Sequence, residues 1–204
     1  MENFKTAVIL AGGKSSRMGF DKQFLKIDEK RLMDTLISEL KTEFQDIIIV
    51  TNKPSEYEFI NTNYRIVSDE IKQKGPLSGI HIGLKESKSK YVYFIACDMP
   101  KINLDYIRYM KSELLRTNAD ACVTEHNHRI EPFNAFYSSE ILPKIGELIL
   151  KGRLSMLALI DNINTHFIQE SNAKKYNNNF NMFFNLNTPK DLSEYKDIDK
   201  NSER

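Results

Sequence analysis

The sequence lacks the features that cross-link small proteins or anchor them in membranes. Its 204 residues include only two cysteines, Cys97 and Cys122. Neither a disulfide framework nor a zinc site with four cysteine ligands can be built from two. No stretch approaches the ~20 apolar residues of a membrane span. The apolar run at residues 7–11 is shorter than the ~7 residues of a signal-peptide core, so we expect a cytoplasmic protein.

Net charge is also nearly absent. The 29 Lys and Arg residues balance 28 Asp and Glu residues, which leaves +1. So small an excess gives no global field that would favour nucleic acid or a membrane surface. A chain of this length buries a core without cross-links, and it has no internal repeat or Pro/Ser/Gly-rich linker. We therefore expect one domain over residues 1–204.

Short β-branched runs alternate with amphipathic stretches in the first half of the chain. Two of the runs are apolar almost without alternation, which is typical of strands buried on both faces of a parallel sheet. The order predicts an α/β fold, namely a single Rossmann-like three-layer α/β/α domain with a mostly parallel central sheet. The predicted strands are Thr6–Leu10, Ile47–Thr51, Arg65–Val67 and Tyr91–Ala96, and the predicted helices are Leu32–Leu40 and Leu77–Leu84.

The pattern is looser after residue 100. Asn103 is the expected N-cap of a helix at Leu104–Leu115. A polar loop is predicted at Glu125–Pro132. Its His126 and His128 are expected to be solvated, because a metal site there would lack a third ligand. The other predictions are strands at Ala121–Thr124, Phe133–Tyr137 and Met182–Leu186, helices at Ile141–Leu150 and Leu154–Ile160, a helical turn at Asp191–Tyr195 and a frayed tail.

A glycine pair follows the first predicted strand. Gly12 and Gly13 are adjacent, which fits neither the dinucleotide-binding nor the P-loop fingerprint. Residues 14–26 carry a local charge of about +3, and cations beside free backbone donors suit a polyphosphate. The alternative is an ordinary strand-to-helix turn with solvated charges.

Asp98 directly follows the strand at Tyr91–Ala96 and is expected at the carboxyl edge of the sheet, facing the glycine pair. Mg²⁺ is commonly held by a single carboxylate together with substrate phosphates. A lone Asp-x-Pro also fits a turn or an N-cap. Near the other end of the chain, alternation would put Asn185 and Asn187 on one side of a strand. The alternative, which can hold at the same time, is that Asn187 or Thr188 caps the last helix with Pro189 at its first position.

Four ordered motifs resemble the molybdenum cofactor guanylyltransferase family, within the sugar-phosphate nucleotidyltransferase-like superfamily. They are LAGGKSSRMGFDK (10–22), GPLSG (75–79), CDMP (97–100) and NLNTPKDL (185–192), and the resemblance spans Ala7 to about Leu192. It implies transfer of GMP from GTP to molybdopterin with release of pyrophosphate and with Mg²⁺ as cofactor. Molybdoenzymes or other cofactor-biosynthesis proteins are further candidate partners, and nucleic acid and membrane are not expected.

The resemblance also implies roles for individual residues. Arg17, Lys22 and Asp98 would be catalytic, with Asp98 as the metal ligand. The GTP-binding residues would be Leu10, Ala11, Gly12, Gly13, Lys22, Asn52, Asp69, Gly79 and Asp98, in a nucleotide-binding half at about 1–100. Arg129, Asn185 and Asn187 would bind the acceptor in a half at about 101–192, followed by a tail at 193–204. Asp69 would contact either guanine or ribose, and the chain has Glu131 where the family generally has His or Gln before the proline.

Two other classes of function stay open at this point. The double glycine resembles the guanylyl branch, but cytidylyl transfer to molybdopterin or nucleotidyl transfer to a sugar phosphate would use the same fold. A non-catalytic carrier that binds GTP and molybdopterin is the alternative from a different class.

Overall fold

The computed structural model describes residues 3–11, 26–27, 30–57, 64–68 and 75–202. Their strands are β1 (Thr6–Leu10), β2 (Lys26–Ile27), β3 (Lys30–Arg31), β4 (Asp46–Thr51), β5 (Arg65–Ser68), β6 (Tyr91–Ala96), β7 (Ala121–His126), β8 (Arg129–Ser138) and β9 (Thr165–Ile168). Their α-helices are α1 (Leu32–Leu40), α2 (Pro76–Glu86), α3 (Leu104–Thr117), α4 (Leu142–Leu150), α5 (Met156–Ile160), α6 (Glu170–Ala173) and α7 (Pro189–Ser202). Short 3₁₀ helices lie at Pro54–Tyr57, Ser139–Ile141 and Asn181–Phe183.

Seven strands form one sheet in the order β5-β4-β1-β6-β8-β7-β9, and β2 pairs with β3 separately. Strands β5, β4, β1 and β6 are parallel, so their carboxyl ends meet at one edge of the sheet. Strand β8 is antiparallel to both β6 and β7, and β9 is parallel to β7. The predicted α/β class with a mostly parallel sheet is confirmed.

Helices cover both faces of this sheet, as adjacent residues of β6 show. Phe94 faces α2, where the position of a Cβ on Gly83 would lie only 2.6 Å from the Phe94 ring. Tyr93 points to the opposite face and stacks on Phe44 with ring centroids 5.5 Å apart. Lys111 of α3 lies over that same Phe44 ring at 4.4 Å. Burial of both faces explains why the central strands are apolar without alternation.

The first half of the chain folds largely as predicted. Strands β1 and β6 and helix α1 have the expected bounds, and β4, β5 and α2 differ by one or two residues at an end. Asn103 caps α3, because its side-chain oxygen accepts a 2.9 Å hydrogen bond from the Tyr106 amide. No helix in the described part of the chain is long and apolar enough to cross a membrane.

Several predictions for the second half are wrong. Glu125–Pro132 is not a loop, because β7 and β8 extend through it and join at Asn127 and His128. Both turn residues have positive φ, at 49° and 57°, as a two-residue turn that matches the strand twist requires. Met182–Leu186 is not a strand, because its first two residues belong to the 3₁₀ helix at Asn181–Phe183 and the rest has no regular secondary structure. Strand β9 and helix α6 were not predicted, and α7 continues to Ser202 where a frayed tail was expected.

Candidate functional site

Backbone hydrogen bonds join the carboxyl ends of the central strands. The amide of Ala11 donates to the Val50 carbonyl at 2.8 Å, and the Cys97 amide donates to the Leu10 carbonyl at 3.0 Å. The chain leaving β1 is therefore held between the ends of β4 and β6. Of the residues implied in nucleotide binding, Leu10, Ala11, Asn52 and Asp98 lie along this edge. Gly12, Gly13, Arg17, Lys22 and Asp69 lie outside the described residues.

Helix α2 begins at the same edge, since it crosses from β5 to the parallel strand β6. Gly75 precedes it with φ of 68°, a conformation that favours glycine, and Pro76 occupies the first turn. The Ser78 hydroxyl donates to the Gly75 carbonyl at 2.8 Å. The amide groups of this first turn carry partial positive charge, which favours an anionic ligand at the sheet edge.

Gly79 and Gly83 allow α2 to lie close to the sheet. A Cβ on Gly79 would be 3.0 Å from Leu10 Cδ2, and one on Gly83 would be 3.1 Å from Val8 Cγ1. The structure thus gives Gly79 a packing contact with Leu10 at the end of β1.

Asp98 occupies a tight turn after β6 and is half-buried. The Met99 amide donates to the Ala96 carbonyl at 3.0 Å, and the Asp98 carbonyl accepts from the Leu186 amide at 2.8 Å. Within the described ranges, no group of three or more His, Cys, Asp or Glu side chains could hold a metal ion. One carboxylate fits an ion such as Mg²⁺, which takes most of its ligands from water and phosphate.

The hairpin of β7 and β8 extends beyond this edge. Its cross-strand pairs are His126 with Arg129 and Thr124 with Glu131, so these four side chains share one face. His126 stacks on Phe180 with ring centroids 3.9 Å apart, and its Nδ1 lies 3.4 Å from Glu170 Oε2. His126 is thus packed into the protein, which corrects the expectation that it is solvated, whereas His128 in the turn is exposed.

Asn134 fixes the hairpin to the C-terminal segment, a role that the sequence analysis missed. Its φ of 56° accompanies a bulge, and its side chain is buried. Its Oδ1 accepts from the Tyr93 hydroxyl at 2.6 Å, and its Nδ2 donates to the Met182 carbonyl at 3.1 Å. The signal in the sequence is a lone amide inside an otherwise apolar strand run, which indicates a buried hydrogen-bonding position.

The two asparagines of the last motif do not share a strand face, which corrects that prediction. Asn185 Nδ2 donates to the Phe183 carbonyl at 2.9 Å, and Asn185 precedes the residue bonded to Asp98. The amides of Asn187 and Thr188 donate to Asp191 Oδ2, while the Asp191 amide donates to Thr188 Oγ1 at 3.2 Å. The expected capping by Thr188 at the start of α7 is confirmed as this reciprocal arrangement.

Cys122 is not a reactive thiol. Burial raises its pKa well above the ordinary range, with Glu113 contributing in the same direction. The thiolate, which is the nucleophilic form, is therefore disfavoured. This agrees with a site that acts by binding and charge stabilisation.

Known proteins share both the sequence and the fold. A family model, the MobA-like NTP transferase domain, matches residues 7–165. The molybdenum cofactor guanylyltransferase of Syntrophotalea carbinolica is 48% identical over 95% of this chain and 91% of its own length. The probable molybdenum cofactor guanylyltransferase of Peptoclostridium acidaminophilum is 44% identical over 96% of this chain and 90% of its own.

A solved structure extends the likeness to three dimensions. The crystal structure of molybdopterin-guanine dinucleotide biosynthesis protein A from Archaeoglobus fulgidus superposes with a TM-score of 0.84. The superposition covers 96% of this chain and 99% of the Archaeoglobus fulgidus chain. Their sequences are 24% identical, so the likeness shows a common fold. From the match of the family model and the identity to the curated relatives, the chain belongs to the family of MobA-like NTP transferase domains.

Proposed function

We propose that this chain transfers GMP from GTP to molybdopterin and releases pyrophosphate. One observation carries the proposal: Asp98 lies at the edge where β1, β4, β6 and the start of α2 meet. It does so in a chain that is 48% identical to a protein named molybdenum cofactor guanylyltransferase. Open α/β sheets bind their ligands at this edge.

The nucleotide occupies the half of the chain at about 1–100. Leu10, Ala11, Gly12 and Gly13 surround the triphosphate with backbone amides, and Asn52, Asp69 and the Gly79 turn of α2 complete the nucleotide pocket. Asp69 is available to accept hydrogen bonds from guanine or ribose. Lys22 and Arg17 face the departing pyrophosphate, whose negative charge they stabilise.

Asp98 is the residue that would hold Mg²⁺, the cofactor that the single-carboxylate donor set fits. The bound ion supplies neutralisation of negative charge on the phosphate oxygens. The Leu186 amide, bonded to the Asp98 carbonyl, fixes the backbone of the turn from which this carboxylate extends.

The chemistry needs no protein nucleophile. The terminal phosphate of molybdopterin is already largely ionised near neutral pH, since its second pKa is ~6. One of its oxygens forms a bond to the α-phosphorus of GTP, while the bond from that phosphorus to the bridging oxygen of pyrophosphate breaks. The protein contributes alignment of the two substrates and stabilisation of the transferred charge. Arg129, Asn185 and Asn187 hold the acceptor on the hairpin side.

The test is pyrophosphate release by the purified chain with GTP, molybdopterin and Mg²⁺, together with detection of the guanine dinucleotide. We expect GTP to be used at least tenfold more efficiently than CTP and turnover to stop when EDTA removes the metal. Preference for CTP would instead assign cytidylyl transfer, and a faster reaction with a sugar phosphate would assign that acceptor class. Binding of GTP and molybdopterin without pyrophosphate release would identify a carrier.

A further inference from the structure

Glu131 is a half-buried carboxyl group without a protein partner in the described part of the chain. It accepts no hydrogen bond and forms no ion pair with a described residue. Other acidic side chains behave differently: Glu43 lies 2.8 Å from Lys111 Nζ and 3.0 Å from Arg108 Nε. The Glu131 oxygens keep access to the surface, so they are open to a hydrogen-bond donor from a ligand.

The position of Glu131 is fixed by its neighbours along β8. The Tyr137 hydroxyl donates to the Pro132 carbonyl at 2.7 Å, directly after Glu131. The bulge at Asn134 follows, and its amide is bonded on both sides. Bulges of this kind redirect a side chain near an active site. These bonds fix the segment of β8 that carries Glu131 without involving its carboxyl oxygens.

Two basic residues lie beside Glu131 on the hairpin. Burial raises the pKa of the Glu131 carboxyl above its ordinary value, and the nearby His126 and Arg129 offset only part of this rise. Arg129 and His126 form the adjacent cross-strand pair on the same hairpin face. Positive charge beside the group favours its ionised form.

The hairpin places Glu131 on the acceptor side of the site. The last pair between β6 and β8 joins Phe94 to Ala135, so the residues of β8 before Ala135 extend past β6 towards the turn that carries Asp98. The Met182 carbonyl is bonded to this hairpin, and Leu186 is bonded to Asp98. The hairpin and the C-terminal segment together form a wall beside Asp98.

We propose that the Glu131 carboxylate recognises the pterin ring of the acceptor by accepting hydrogen bonds from its ring N–H and its exocyclic amine. This inference rests on the proposed function. The phosphate and the dithiolene sulfurs of molybdopterin are anionic and are repelled by a carboxylate. The aminopyrimidinone part of the pterin offers two adjacent donors to the two oxygens of one carboxylate. Glu131 therefore binds the pterin end of the acceptor, which is remote from the reacting phosphate.

The test compares Glu131→Gln and Glu131→Asp with Glu125→Gln. Glu125 pairs with Ile130 on the opposite face of the same hairpin, which makes it a matched control. We expect Glu131→Gln to raise KM for molybdopterin at least tenfold while KM for GTP stays within twofold of the wild type. Glu131→Asp keeps part of the affinity, and Glu125→Gln behaves as the wild type. Because partial burial disfavours the charged form of Glu131, Glu131→Gln should also keep or raise Tm.

Calorimetric titration with molybdopterin in the absence of GTP separates this inference from the proposed function. Loss of molybdopterin affinity in Glu131→Gln supports the inference whether or not the wild type turns over. Equal affinity of Glu131→Gln and the wild type overturns the inference alone. Binding by the wild type without pyrophosphate release overturns the proposed function alone, and no binding by the wild type overturns both. A lowered Tm with KM changed equally for both substrates would assign Glu131 a structural role and overturn the inference.

Discussion

The carbonyl oxygen of Asp98 accepts a 2.8 Å hydrogen bond from the backbone amide of Leu186. This bond joins the turn after β6 to a segment near the end of the chain. The same segment is bonded to the hairpin through the Met182 carbonyl and Asn134 Nδ2. Two distant parts of the sequence, each carrying proposed substrate contacts, are thereby held in one fixed arrangement around the sheet edge.

The carboxylate of Asp98 is expected to be essential for turnover. Asp98→Asn keeps the shape of the side chain but removes its negative charge and weakens metal binding, so kcat for pyrophosphate release should fall by ~100-fold or more. Asp161→Asn removes an exposed carboxylate just after α5 and should leave kcat unchanged. Near-normal turnover by Asp98→Asn would contradict the metal-binding role.

Lys22, although outside the described residues, is expected to stabilise the leaving pyrophosphate. Lys22→Ala should lower kcat by ~100-fold or more if this lysine contacts charge that develops during transfer. Lys88→Ala, which removes an exposed lysine after α2, is the control and should keep the wild-type rate. Single-turnover measurement of guanylyl transfer distinguishes the effect on chemistry from one on product release.

Substituting alanine for each of two helical glycines should change the stability of the fold in opposite directions. Gly83→Ala places a Cβ 2.6 Å from Phe94 Cε1 and should destabilise the fold by ~1–3 kcal/mol. Gly146→Ala in α4 meets no atom within 4 Å and should stabilise it by ~0.5–1 kcal/mol, because the unfolded chain loses conformational freedom. Thermal unfolding measures both, and a stabilising Gly83→Ala would contradict the close contact between α2 and β6.

Asn134 combines two buried hydrogen bonds with a left-handed backbone. Asn134→Gly permits the positive φ but leaves the Tyr93 hydroxyl and the Met182 carbonyl without this amide, which should cost ~1–3 kcal/mol. Asn134→Ala loses the same bonds and adds ~1–2 kcal/mol of backbone strain. Chemical denaturation of both variants separates the two effects. Equal stability of the two would show that backbone strain contributes nothing.

Glu170 should contribute to the loss of stability in acid. Hydrogen bonds from Lys174 and from the Asn127 amide lower the pKa of its carboxyl from the ordinary 4.5 to about 2. A lowered folded-state pKa stabilises the protein above the unfolded value, and this contribution is lost as pH falls from about 4.5 towards 2. Glu170→Gln should therefore flatten the dependence of unfolding free energy on pH in that window. Glu194→Gln, at an exposed site of α7, should keep the wild-type slope.

The parallel half of the fold could be predicted because its sequence pattern and its burial coincide. Tyr91–Ala96 is apolar on both faces in the sequence and buried between α2 and α3 in the structure. The hairpin could not be predicted in this way, since the turn at Asn127 and His128 is polar throughout and the bulge at Asn134 breaks the alternation. Strand β9 was missed because Thr165–Ile168 is short and lies at the edge of the sheet.

The parts of the candidate site that depend on local sequence could be predicted, and the contacts between distant segments could not. The place of Asp98 follows from its position at the end of a buried strand, and the capping by Thr188 follows from its position just before Pro189, which favours the first turn of a helix. The contact between Leu186 and Asp98 could not be foreseen, because it joins backbone atoms far apart in sequence. The shared strand face predicted for Asn185 and Asn187 is wrong, because the chain forms a 3₁₀ helix at Asn181–Phe183 and then the cap of α7 instead of a strand.

The antiparallel course of β8 has an evolutionary consequence. One end of β8 is anchored beside β6 in the centre of the sheet, while the other ends at the two-residue turn of the hairpin. Insertions or substitutions near that turn change a wall of the proposed acceptor pocket without moving any of the four parallel strands. Preference for the acceptor can therefore diverge between relatives while the handling of the nucleotide is conserved.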